Sequence, residues 1–99
     1  MSLDITDHTS WYFLANSWYI RFFTIPNNTT EDLTRALTAY KKSESLGGTI
    51  NPDLYYNRGN IEKYLQRYDS ALSNYSNAIQ IDPALKNVIL LYSIRISYL

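Results

Sequence analysis

The side chains able to do covalent or acid–base chemistry in this chain are few and scattered. His8 is the single histidine, it lies near the N-terminus, and there is no cysteine anywhere. Metal and proton-transfer sites are built from clusters of such residues, so His8 on its own predicts neither a catalytic nor a metal-ligating role. The serines and threonines stand in no Gly-x-Ser-x-Gly context, and Gly47-Gly48 reads as a helix stop rather than a phosphate loop. Sequons begin at Asn27, Asn28 and Asn74, and they matter only in a secreted chain. The expectation is a protein with no enzyme activity, no cofactor and no metal. What remains is a set of asparagines, tyrosines and isolated charges suited to gripping another chain.

These residues have to be positioned by elements that a chain of 99 residues can build, which is one small domain. Nine basic and nine acidic side chains give zero formal net charge, so no field draws in nucleic acid or a membrane surface. The start, MSLDITDHTS, is acidic and polar, unlike a secretory signal, and the apolar run VILLYSI is short and followed by Arg95. The lack of cysteine excludes disulfides and is compatible with a reducing compartment. Ten tyrosines read as packing between helices.

Turn and capping signals divide the chain. Helices are predicted at about 8–24, 31–46, 52–65, 68–81 and 86–98. Pro26 with Asn27 and Asn28 breaks the first helix inside the turn-rich TIPNNTTED. Thr29 or Thr30 caps the second, and Glu31 and Asp32 suit its positive end. Gly47-Gly48 stops it. Asn51 caps the third helix, Pro52 costs nothing in its first turn, and Asp53 meets the dipole favourably.

Within these helices residues 52–83 follow the pattern of one complete tetratricopeptide repeat: Tyr55, Gly59, Ala71, Tyr75, Ala78 and Pro83. Gly59 and Ala71 fall where two antiparallel helices cross most closely, Tyr55 and Tyr75 fill the space beside them, and Ala78 admits the next repeat. Residues 8–46 form a looser copy with an inserted loop at 24–30. There Trp11, Leu14, Ala15 and Trp18 reproduce the first helix, Ala36 and Tyr40 reproduce the second, and Ser43 stands in the place of Ala78. Residues 86–99 begin a truncated further repeat or an aberrant tail. The resulting fold class is all-α, with helical hairpins stacked as a short right-handed solenoid. About three repeats are usually needed for stability, so the chain reads as a segment of something longer. The apolar, uncovered 86–99 reads as a route to self-association.

The runs SWYFLANSWY, RALTAYKKSE, NPDLYYNRGNIEKY and YDSALSNYSNAIQIDPA resemble the later repeats of the tetratricopeptide repeat protein 5 (Strap) family, over roughly residues 3–85. The insertion before the second helix and the Asn-Pro-Asp-Leu start are the more specific parts of the likeness. The last dozen residues depart from it. The resemblance implies a transcription cofactor of nucleus and cytoplasm that binds coactivators. It also implies a reader of nascent tubulin whose action triggers decay of tubulin messenger RNA. Direct nucleic-acid or membrane contact is not expected.

In stacked hairpins the first helices line a concave face. The side chains there not spent on the helix crossing are Tyr12, Asn16 and Tyr19 in the first copy, and Asp53, Tyr56, Asn57, Asn60 and Lys63 in the second. Asn16 and Asn60 hold the same place, and each amide offers a donor and an acceptor to an extended peptide backbone. Asp53 suits a basic side chain or a free amino terminus, although its position at a helix start already accounts for it. The bland alternative is that these residues are the solvated face of amphipathic helices. Arg58 reads as snorkelling over the hairpin. A co-chaperone type of repeat that clamps a peptide carboxylate ranks lower, because Lys63 is the one cation on this face. A nucleic-acid-associated factor ranks lower still.

Overall fold

Capping chemistry sets the boundaries. A computed structural model describes residues 7–26 and 29–89. In it α1 spans His8–Thr24, α2 Glu31–Ser45, α3 Pro52–Tyr64 and α4 Tyr68–Ile81. Single 3-10 turns follow at Gly48–Ile50 and Pro83–Leu85, residues 86–89 are again helical, and no strand occurs among the described residues. The all-α expectation holds, and the first four helices start and stop within one residue of their predicted bounds. The rest of the 86–98 helix, and the self-association read from that tail, lie outside the described residues.

At the start of α1 the Asp7 carboxylate accepts from the Ser10 N–H at 2.6 Å and from the Ser10 hydroxyl at 3.0 Å. The backbone bond from Ser10, then that from its hydroxyl, hold the Asp7 carboxyl below the usual aspartate range. Asn51 caps α3 as expected, its Oδ1 accepting from the Asp53 N–H at 3.1 Å. The start of α2 differs from expectation. Thr30 occupies the cap position in helical conformation and its side chain makes no capping bond. Instead the Thr29 carbonyl accepts from the Asp32 N–H at 3.1 Å, so the entry is a backbone turn.

The helix ends differ as well. α2 stops at Gly47 with φ of 115°. α3 stops without a glycine, at Gln66 with φ of 62°. There the Gln66 N–H donates to the Lys63 carbonyl at 3.0 Å and the Arg67 N–H to the Glu62 carbonyl at 2.8 Å. These are the paired bonds of a Schellman stop.

The chain divides into two compact units between Thr49 and Ile50. In the first, α1 and α2 run antiparallel, and the buried residues of α2 (Asp32, Leu33, Ala36, Ala39, Tyr40 and Ser43) recur at helical spacing along one stripe. The buried Ser43 hydroxyl donates to the His8 carbonyl at 2.6 Å, joining the end of α2 to the beginning of α1. A Cβ on Gly48 would come within 2.7 Å of the Ser43 Oγ, so this return of the chain needs a glycine. In the second unit, Leu54, Tyr55, Gly59 and Ile61 of α3 and Ala71, Asn74, Tyr75 and Ala78 of α4 are buried. A Cβ on Gly59 would sit 2.5 Å from the Tyr75 ring, which is the close approach the repeat pattern asks for. Asn74 is 7% exposed and its Nδ2 donates to the Ser70 carbonyl at 3.0 Å.

Candidate functional site

Both hairpins contain the same three-residue arrangement. In the first, the Tyr40 hydroxyl of α2 donates to Oδ1 of Asn16 on α1, and the Tyr12 and Tyr40 rings lie 6.1 Å apart at 51°. In the second, the Tyr75 hydroxyl of α4 donates to Oδ1 of Asn60 on α3 at 2.7 Å, and the Tyr56 and Tyr75 rings lie 6.2 Å apart at 47°. Tyr12 and Asn16, like Tyr56 and Asn60, are four residues apart and so share a helix face. A tyrosine from the second helix of the hairpin reaches across to both. Tilted rings at this separation attract beyond simple burial, and the hydrogen bond fixes which way the amide points.

This corrects one part of the sequence reading. Asn16 and Asn60 were expected to be unspent on the hairpin and to offer both ends of the amide to a ligand. Their acceptor ends are engaged by tyrosine. Among the described residues the Asn60 Nδ2 makes no hydrogen bond, so this amide presents a donor with a fixed direction. Such a group matches the carbonyl of an extended peptide better than its N–H.

The other predicted residues are more dispersed. Tyr19 is half-buried, with its ring 5.4 Å from Phe23. Asp53 is exposed at the start of α3 and forms no ion pair among the described residues. Asn57 and Lys63 are half-buried on α3. The Arg58 guanidinium lies 5.7 Å from the Tyr55 ring centre, in keeping with its expected snorkelling. Among the described residues no group of three histidines or carboxylates could hold a metal, and no helix is long and apolar enough to cross a membrane.

A second feature was not anticipated. Trp11, Leu14 and Trp18 of α1, with Thr34, Arg35, Thr38 and Ala39 of α2, line an apolar cleft of about 340 Å³. Arg35 and Arg21 lie 4.9 and 5.7 Å from the Trp18 ring. The same two arginines pair with the buried Asp32 at 3.7 and 3.6 Å. The sequence shows Trp11, Leu14 and Trp18 as one stripe. It does not show that Arg21 and Arg35, from different helices, converge on Trp18.

The tetratricopeptide repeat family model matches residues 52–85. Over 86 residues the chain is 37% identical to Tetratricopeptide repeat protein 5 of Bos taurus and 36% identical to that of Homo sapiens. Over 85 residues it is 34% identical to that of Mus musculus. Residues 52–85 form a tetratricopeptide repeat, and over most of its own length the chain is similar to tetratricopeptide repeat protein 5. The alignments cover 84–85% of this chain but 19% of each relative, so the chain spans under a fifth of their length. No solved structure matches. Tetratricopeptide repeats are non-enzymatic protein-interaction modules, and the chain is a protein-interaction segment on that ground.

Proposed function

We propose that the chain is part of a scaffold that holds an extended peptide against the first helix of each hairpin. The repeated Tyr–Asn–Tyr arrangement carries this reading. Twice, a tyrosine holds an asparagine by its amide oxygen, and in the second hairpin this leaves the Asn60 amide hydrogens for a ligand. A donor held in place binds with less loss of freedom than a mobile one. Tyr12 and Tyr56 flank these amides with aromatic surface of the kind that packs between peptide side chains, and the exposed Asp53 suits a positive group. On the resemblance to the tetratricopeptide repeat protein 5 family, the peptide is the nascent tubulin chain, with transcription coactivators as further partners, in cytoplasm and nucleus.

The arrangement dictates the test. Replacing asparagine with alanine would remove the tyrosine bond along with the donor. Asn16→Asp with Asn60→Asp keeps an acceptor for each tyrosine and replaces the donor with a negatively charged oxygen that a peptide carbonyl cannot use. Losing a hydrogen-bond donor costs about 1–3 kcal/mol, so titration with a labelled nascent tubulin peptide is expected to show roughly tenfold weaker binding. The helical signal should be unchanged, and Lys42→Ala on the exposed side of α2 should bind like the parent. Equal binding by the aspartate pair and the parent would refute the reading, as would an equal loss in Lys42→Ala.

A further inference from the structure

Phe13, Ser17, Ile20 and Thr24 follow one another on α1 at spacings of four, three and four, which puts them on a single helix face. All are exposed, Phe13 to 60% and Ile20 to 58%. The two hydroxyls need nothing from outside. Ser17 donates to the Phe13 carbonyl at 3.0 Å and Thr24 to the Ile20 carbonyl at 2.8 Å. The polar members of the stripe have therefore spent their hydrogens within their own helix, and burying them leaves no donor stranded. Phe23, 54% exposed, extends the apolar surface. Large exposed apolar side chains gathered on one face mark an interaction surface.

The order of sizes along the stripe is large, small, large, small. We infer that this face pairs with a second copy of the chain, α1 against α1, antiparallel about a two-fold axis level with the bond between Trp18 and Tyr19. That operation sets Phe13 against the partner's Thr24 and Ser17 against the partner's Ile20, so every large side chain meets a small one. A parallel pair would put Phe13 on the partner's Phe13 and leave a gap at the serines. Self-complementarity of this kind is what a two-fold interface requires, and the four–three–four spacing suits a shallow helix crossing. Charge does not oppose it. Arg21 is the one fully charged side chain of α1, it is held by Asp32 at 3.6 Å, and it lies on the flank of the stripe and not within it. One helix stripe offers less than the roughly 800 Å² per partner of a standard stable interface, so the pair is weak and concentration-dependent. The inference goes beyond the peptide reading and does not depend on it.

Sedimentation velocity of the full chain over a wide concentration range should show a reversible monomer–dimer equilibrium. Ile20→Glu should abolish it with helicity unchanged, because the position is exposed. Val88→Glu with Leu91→Glu, in the apolar tail, should leave it intact. The register is read separately. The chain has no cysteine, so Phe13→Cys with Thr24→Cys under mild oxidation should give covalent dimers in which position 13 is joined to position 24. A monomer at every concentration, a dimer that survives Ile20→Glu, a dimer lost in the tail variant, or cross-links joining 13 to 13 would each overturn the proposal.

Discussion

In the hairpin of α1 and α2, Tyr40 bonds to Asn16 beside a crossing residue, Ala15, that carries a methyl group. In the hairpin of α3 and α4, Tyr75 bonds to Asn60 beside Gly59, where a methyl would lie 2.5 Å from the ring. A methyl cannot sit that close to a ring, so the first hairpin must hold its tyrosine farther from the crossing. The settings diverge further along the first helices. Residues 11, 14 and 18 are Trp, Leu and Trp, with two arginines at Trp18. Their counterparts are Tyr55, Arg58 and Glu62, with Arg67 3.6 Å from Glu62. The turns diverge too, from Ile25–Thr30 in the first hairpin to the three residues Leu65–Arg67 in the second. What the two share is the tyrosine-to-asparagine bond, and what distinguishes them is how tightly the helices close around it. The family model recognises the tight version, at 52–85.

The comparison can be broken most directly at the crossing. Gly59→Ala should push α3 and α4 apart and cost about 1–3 kcal/mol. Ala15→Gly, which adds no clash, should cost only about 0.5–1 kcal/mol through helix propensity. Urea unfolding of the two variants measures both, and equal costs would mean that the hairpins close alike. Tyr40→Phe and Tyr75→Phe each remove one hydrogen bond, worth about 0.5–1.5 kcal/mol. Similar losses in the same assay are expected if the bond does the same job twice.

A smaller effect sharpens the contrast in turns. Gln66 adopts a left-handed backbone that disfavours any side chain, so Gln66→Gly should raise stability by up to about 1 kcal/mol in thermal melts. The smallest effect belongs to the first hairpin alone. The Asp7 carboxyl is held below its ordinary range by Ser10, so its contribution is present above the unfolded aspartate pKa and is lost as pH falls through the folded one. Protection of the Ser10 amide, the unstructured exchange rate at the same pH divided by the observed one, should fall across that acidic window, and Asp7→Asn should flatten the response.

Helix positions were legible in the sequence because their signals are local. Asn51-Pro52, Pro26 and Gly47 each act within a turn of where they stand. The all-α class and the crossing at Gly59 were legible for the same reason, since a fixed pattern of large and small residues encodes both. The stop at Gln66 was not, because glutamine carries no turn signal and only the backbone bonds around it reveal its conformation. Nor was the engagement of Asn16 and Asn60, whose tyrosine partners lie 24 and 15 residues away. An asparagine facing solvent and one held by a distant hydroxyl look alike in a string of letters. The convergence of Arg21 and Arg35 on Trp18 was hidden in the same way.

The burial of Asn74 turns one motif into a marker of history. Asn74, Tyr75 and Ser76 spell a sugar acceptor, yet in the folded hairpin the amide nitrogen is turned inward onto the Ser70 carbonyl. An oligosaccharide could be attached there only before α4 exists, and once attached it would keep that nitrogen from returning. Were the chain ever routed through a glycosylating compartment, sugar at Asn74 would record a molecule that had missed its fold, while the native form would leave the site blank.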